Sequence, residues 1–203
     1  MILYYVHDPM CSWCWGFSPT WQKIRTALQN EVEIKYLLGG LAPDSNVEMP
    51  ESMQRDIAGY WKKIQQHIPG TEFNFDFWQK CSPRRSTYPA CRAVIAARKQ
   101  NPEVELAMIE AIQKAYYLNA QNPSNDETLI TLAESLKLDK KQFTDDLNSS
   151  DTQQQLVKEM AFGRQIGAQG FPSMILEKDG DYQYVPLNYN DPEAAINTIR
   201  TAL

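Results

Sequence analysis

Ile2-Leu3-Tyr4-Tyr5-Val6-His7-Asp8-Pro9-Met10-Cys11-Ser12-Trp13-Cys14 decides how the rest of the chain is read. Ile2 to Val6 is rich in β-branched and aromatic residues, the composition of a buried strand. From Trp13 to Leu28 apolar residues recur at helical spacing, and Glu31 to Leu38 returns to strand character. Strand, helix and strand within the first 38 residues predict a parallel, right-handed βαβ unit. The two cysteines then fall at the first turn of the helix.

That placement bears on their chemistry. A helix N-terminus offers unpaired N–H groups and the positive end of the helix dipole, and both favour a thiolate over a thiol. Cysteines so placed, or in a Cys-x-x-Cys pair, ionise at roughly pH 3.5–7.5 rather than about 8.5. Cys11, nearer the helix start, is the candidate nucleophile. Cys14, one turn deeper on the same face, is the candidate resolving thiol. The competing use of such a pair is half of a zinc site, which needs two further ligands. Only Cys81, Cys91, His7 and His67 remain, none closely paired, so redox chemistry is the stronger reading and no metal is expected.

The 203 residues are 43% hydrophobic, enough to bury a core as one domain or as a domain with an insertion. A net charge of −5 argues against nucleic acid or an anionic membrane as the main partner, since either needs a basic field. Lys80 with Arg84-Arg85 reads as a small solvated basic loop. No stretch of about 18 apolar residues could span a bilayer, and the first strand begins at Ile2 with no apolar leader before it. These features predict a cytoplasmic protein. Thiols are mostly kept reduced there, so the Cys-x-x-Cys pair is expected to be catalytic rather than a structural staple.

Along the chain, Pro9 is expected to enforce an extended approach to the cysteines. His7 reads as a polar strand-end residue rather than a charged partner of Cys11. Trp13, between the thiols, is expected to stay partly exposed and to offer a substrate an apolar surface. Ser18-Pro19 has the form of an N-cap followed by a proline at the first helical position, which predicts a restart or kink. Gly39-Gly40 and Pro43 break the regular pattern.

From there to about Gly163 the periodicity is helical. Helices are predicted over 53–67 and 89–99, on a face through Val104, Met108, Ile112 and Tyr116, after a cap at Asp126, over 139–147 and over 151–166. Phe73, Phe75, Phe77 and Trp78 read as an apolar linker packed on the core. Strands return at 174–176 and 182–185 around the turn Lys178-Asp179-Gly180-Asp181, and Asp191-Pro192 opens a last helix. Pro172 lacks the N–H that a central strand uses, and a cis bond before it would make a fixed turn with free backbone beside it. Cys81 and Cys91 read as structural thiols. The expected division is an α/β domain of 1–42 and 164–203 with a helical insertion domain of 43–163.

Four segments carry a family resemblance: His7-Asp8-Pro9-Met10-Cys11-Ser12-Trp13-Cys14-Trp15-Gly16, Leu38-Gly39-Gly40-Leu41, Tyr88-Pro89-Ala90-Cys91-Arg92-Ala93 and Gly170-Phe171-Pro172. Together they resemble the DsbA-like, FrnE-like branch of the thioredoxin superfamily. The resemblance implies a thioredoxin-like α/β fold with a large α-helical insertion, and Phe171-Pro172 as a cis-proline loop facing the cysteines. It implies that Cys11 attacks a substrate disulfide and Cys14 releases it, with Trp13, Phe171 and Pro172 binding substrate. The implied activity is that of a protein-disulfide oxidoreductase or isomerase acting on protein or small-molecule disulfides. Its redox group is the Cys11–Cys14 pair itself, with glutathione as a candidate co-substrate and both monomer and homodimer open.

Ser12-Trp13 replaces the Pro-His centre of periplasmic DsbA proteins, which removes a thiolate-stabilising histidine and implies a weaker oxidant. The fold is also similar to kappa-class glutathione transferases and 2-hydroxychromene-2-carboxylate isomerases. Those activate glutathione with a serine at the place of Cys11, so the paired cysteines favour disulfide exchange. A non-catalytic chaperone or adaptor on the same fold is a third reading, which intact cysteines oppose.

Overall fold

Alternation along β1 (Ile2–His7) sets the two faces of the sheet. Leu3 and Tyr5 point to one side and Tyr4 and Val6 to the other, as a side-chain period of two requires. The computed structural model describes all 203 residues. In chain order, β1 is followed by α1 (Ser12–Leu28), β2 (Glu33–Leu38), α2 (Glu51–His67), α3 (Phe77–Lys80) and α4 (Tyr88–Gln100). A short 3-10 turn leads into α5 (Glu105–Tyr117), then α6 (Asp126–Ser135), α7 (Lys140–Leu147) and α8 (Ser150–Gln165). β3 (Ser173–Lys178), β4 (Asp181–Val185) and α9 (Pro192–Ala202) complete the chain.

The sheet order is β2, β1, β3, β4. β1 pairs parallel with β2 across α1, the βαβ unit expected, and antiparallel with β3. β3 and β4 form a hairpin whose two turn residues, Asp179 and Gly180, have φ of 55° and 89°, the positive values that a two-residue hairpin turn needs. Leu3, Tyr5, Met174 and Leu176 bury one face against Phe17, Trp21, Ile24 and Leu28 of α1 and Ala195, Ile196 and Ile199 of α9. Tyr4, Val6, Leu37 and Ile175 bury the other against Ile166 and Phe162. Fully burying a side chain of this size stabilises by about 1.5–3 kcal/mol.

Between β2 and β3 the chain is helical around α4, whose residues from Pro89 to Ala97 are all buried. Ala90, Ala93, Ala96 and Ala97 are small enough to let α5, α7 and α8 approach it closely. Phe73, Phe75, Phe77 and Trp78 gather around Trp61 of α2, as the apolar linker was expected to do. Two arginines of α4 tie this block to the sheet end. Arg98 of α4 binds Glu105 and Glu159, and Glu159 also accepts from the Leu38 amide at 2.9 Å. Arg92, itself buried, forks onto Asp44 at 2.8 and 2.9 Å and fixes the loop beyond Gly40.

Three local expectations are corrected. α1 does not restart at Ser18-Pro19 but runs unbroken with Pro19 inside it. Proline removes the N–H due to the carbonyl four residues back, that of Trp15. Ser18 Oγ donates to that carbonyl at 2.8 Å, so the lost donor is replaced within one residue. The approach to the cysteines is a turn rather than extended chain: Cys11 N–H donates to the Asp8 carbonyl at 3.0 Å, with Pro9 at the second position, where its fixed φ suits a turn. Asn125, not Asp126, occupies the N-cap of α6.

Candidate active site

The Asp8-Pro9 turn ends β1 and places Cys11 at the N-cap of α1, with φ −82° and ψ 116°. Its side chain makes no capping bond. Instead the Cys11 thiol donates to the Phe171 carbonyl at 3.4 Å, a contact spanning most of the chain. The Phe171-Pro172 peptide bond is cis. The structure therefore brings Cys11, Cys14 and Phe171 together, with Pro172 buried behind Phe171.

Asp8 holds this arrangement, and sequence reasoning did not single it out. It is fully buried. Its Oδ1 accepts from the Met10 amide at 2.8 Å, and its Oδ2 accepts from the Leu41 amide and Thr87 Oγ1 at 2.7 Å each and from the Cys91 thiol at 3.5 Å. One carboxylate thus joins the cysteine turn, the glycine loop and α4. Burial pushes its carboxyl above the usual range, and the bonds from Leu41, Thr87 and Met10 pull the other way. The available signal was an Asp ending a strand two residues before a backbone amide, the form of an Asx turn.

Gly39 and Gly40 are required here for different reasons. A Cβ on Gly39 would meet the Phe171 ring at 1.9 Å, and Gly40 has φ of 62° with Met160 Sδ 2.6 Å from where a Cβ would lie.

Cys11 is only 6% exposed, yet it is not sealed in the core, because it forms part of the wall of a cavity of about 780 Å³. Trp13 and Phe171 line the same cavity. Trp13 is half-buried, edge-on to His67 and Tyr189. Arg85 and Arg164 also face the cavity. Lys80 pairs with Asp76, and Arg84 bonds the Ser124 carbonyl and Asn125. In the basic loop at 80–85, Arg84 is half-buried, whereas Lys80 and Arg85 are exposed, and Arg85 also lines the cavity. Chain folding over a long sequence separation places it there, which no local pattern discloses.

Cys14 lies on the inner side, 1% exposed. Burial pushes its thiol well up, and a hydrogen bond and charge interaction with Cys11 push it further. A second cavity of about 300 Å³ reaches Cys14 and His7 from the opposite side. His7 is buried and stacked on Tyr5, and burial, then Arg98, lowers its pKa to about 3. It is therefore neutral, in keeping with a strand-end residue rather than a charged partner of Cys11. All four cysteines are free thiols; Cys81 donates to the Ala120 carbonyl, away from Cys91. No three His, Cys, Asp or Glu side chains converge to hold a metal ion.

Comparison with known proteins agrees with this architecture. A Nitrosomonas europaea protein proposed to be a protein disulfide isomerase is 28% identical, with a TM-score of 0.85 over 98% of this chain and 96% of that one. The cytosolic disulfide reductase DsbM of Pseudomonas aeruginosa, also solved with GSH, shares the fold at 22% identity and a TM-score of 0.80, covering 100% of this chain and 98% of that one. Among curated relatives, the ClpXP adapter protein SpxH of Halalkalibacterium halodurans is 25% identical over 87% of this chain, and the match spans 58% of the relative's length. The family model described as thioredoxin matches residues 4–188. That match, over most of the chain, shows that the chain belongs to the thioredoxin family.

Proposed function

We propose that the protein is a cytoplasmic thiol-disulfide oxidoreductase in which Cys11 attacks and Cys14 resolves. The observation that carries the reading is the Cys11 sulfur at the N-terminus of α1, open to the large cavity and 3.4 Å from the Phe171 carbonyl, with the Cys14 thiol buried behind it. The Cys11 thiolate attacks one sulfur of a substrate disulfide, whose other half leaves as a thiolate. Cys14 gives its proton to water and attacks the Cys11 sulfur. That forms the Cys11–Cys14 disulfide and expels the second thiolate, so the substrate gains two electrons and the pair loses two. Trp13 walls the substrate, and the Phe171 backbone beside Pro172 pairs with it.

A thiol must reduce the pair again, and glutathione fits that place, as the similar fold of DsbM was solved with GSH. Run in reverse, the same steps oxidise a client; the potential of the pair against that of its compartment sets the direction. The cytoplasmic placement rests on the reduced thiols expected there and on the cytosolic name of DsbM. No helix is long and apolar enough to cross a membrane. We read 43–163 as an insertion domain between the two halves, 1–42 and 164–203, of the thioredoxin-like domain.

The deciding experiment measures disulfide exchange in two variants. Cys11→Ser is expected to abolish exchange, and Cys14→Ser to accumulate mixed disulfides. Full exchange by Cys11→Ser removes the reading. One finding favours an alternative, namely the relatives named as ClpXP adapter proteins, of whose length this chain spans 58% to 63%. An adapter would bind clients without turnover. Client binding that survives loss of both Cys11 and Cys14, beside a wild type without exchange, selects it.

A further inference from the structure

The large cavity carries a charge that the rest of the chain does not. The protein has a net charge of −5, yet no Asp or Glu lines this cavity, and two arginines do. Arg55, Arg92, Arg98 and Arg200 are each paired with a carboxylate; Arg25, Arg84, Arg85 and Arg164 are not, and of these only Arg85 and Arg164 line this cavity. They come from distant points of the chain, Arg85 from the loop before α4 and Arg164 from the last turn of α8. Each acts on a tyrosine nearby: Arg85 works against the burial-driven rise in the Tyr116 pKa, and Arg164 does the same at Tyr88.

Two solvent-exposed guanidiniums on the wall that also holds Cys11, with no carboxylate among them, make the cavity attractive to an anion. Guanidinium is a planar fork of donors matched to a carboxylate. Between the two cations the cavity wall is largely apolar, with Trp13, Leu41, Ile57 and Met160. A volume of about 780 Å³ lies within the range of sites that enclose a small molecule rather than a folded chain. A cationic or uncharged disulfide would gain nothing from either guanidinium. A peptide-sized disulfide bearing free carboxylates would pair with them while its sulfur reaches Cys11.

Resting on the oxidoreductase reading, we infer that Arg85 and Arg164 bind substrate carboxylates and select small anionic disulfides and thiols over neutral or cationic ones. The effect falls most on binding and kcat/KM of anionic substrates and least on uncharged disulfides.

The test has a binding arm and a kinetic arm. In the first, the unreactive thioether S-methylglutathione and its diethyl ester are titrated calorimetrically into Cys11→Ser. The acid is expected to bind about tenfold or more tighter than the ester, and Arg85→Gln or Arg164→Gln, added singly, each to remove a large share of that difference. Equal affinity for acid and ester, or an acid preference that survives loss of both arginines, overturns the inference. In the second arm, kcat/KM for oxidised glutathione should fall severalfold in either arginine variant, while that for hydroxyethyl disulfide, which is neutral, should fall much less. An equal fall for both substrates overturns the inference. The binding arm needs no turnover, so a failure of the oxidoreductase reading shows only in the kinetic arm and is told apart.

Discussion

The Phe171 ring lies on the backbone of Gly39, so close that a Cβ there would meet its Cε1 at 1.9 Å. This contact joins the end of β2 to the loop before β3 and so positions the carbonyl that accepts from Cys11 at 3.4 Å. Gly39→Ala must push the ring away or open the loop. The expected outcome is a loss of about 1–3 kcal/mol of stability by urea denaturation. Disulfide exchange should fall by about tenfold, because the carbonyl moves with the ring. Unchanged stability and exchange in Gly39→Ala would show that the contact does not set the loop.

Cys14 should be silent to alkylation in the folded protein. Burial first, then Cys11, holds its thiol well above the usual range, so it stays protonated at neutral pH, and a thiol is not the reacting form. Iodoacetamide applied briefly to the reduced native protein should add one label within the motif, on Cys11, and label Cys14 only after denaturation. Peptide mass mapping reads the sites. Native labelling of Cys14 at a rate equal to Cys11 would remove its role as the sheltered resolving thiol.

Much of this arrangement was legible in the sequence because its signals are local. The strand character of Ile2 to Val6, the helical spacing after Trp13 and the Asp179-Gly180 turn each occupy a few neighbouring residues, and β1, α1 and the hairpin follow them. Ser18-Pro19 misled because an N-cap before proline and an interior proline rescued by a preceding serine share the same two letters. Only the Ser18 hydroxyl's bond to the Trp15 carbonyl tells them apart. Asp8 and Arg85 were missed for another reason. Asp8 gains its meaning from Leu41, Thr87 and Cys91, and Arg85 from a cavity on the far side of a long helical segment. Partners so far apart in sequence leave no periodic trace.

His7 predicts an acid sensitivity. Burial, then Arg98, lowers its pKa to about 3 from the ordinary 6.5. As pH falls through this window the unfolded chain takes up the proton first, so His7 favours folding fully above about 6.5 and progressively less toward 3. The slope is at most about 1.4 kcal/mol per pH unit. His7→Phe keeps a ring against Tyr5 and removes the unpartnered Nε2. Urea denaturation at several pH values should therefore give a flatter acid limb for His7→Phe, with stability at neutral pH equal or higher. Parallel limbs would show that another group carries the acid response.

The last prediction concerns the helix that carries the cysteines. Pro19 leaves the Trp15 carbonyl without its helical donor, and Ser18 Oγ supplies one at 2.8 Å. Ser18→Ala should then cost about 1 kcal/mol in the natural chain, where the carbonyl loses its replacement donor. In a Pro19→Ala background the amide at position 19 is restored, and the same Ser18→Ala change should cost close to nothing. The coupling between the two positions, measured by a double-mutant cycle in urea, isolates this exchange of donors from the general helix preference of alanine. Equal costs in both backgrounds would mean that the serine bond does not compensate the proline, and the continuity of α1 past Cys14 would need another source.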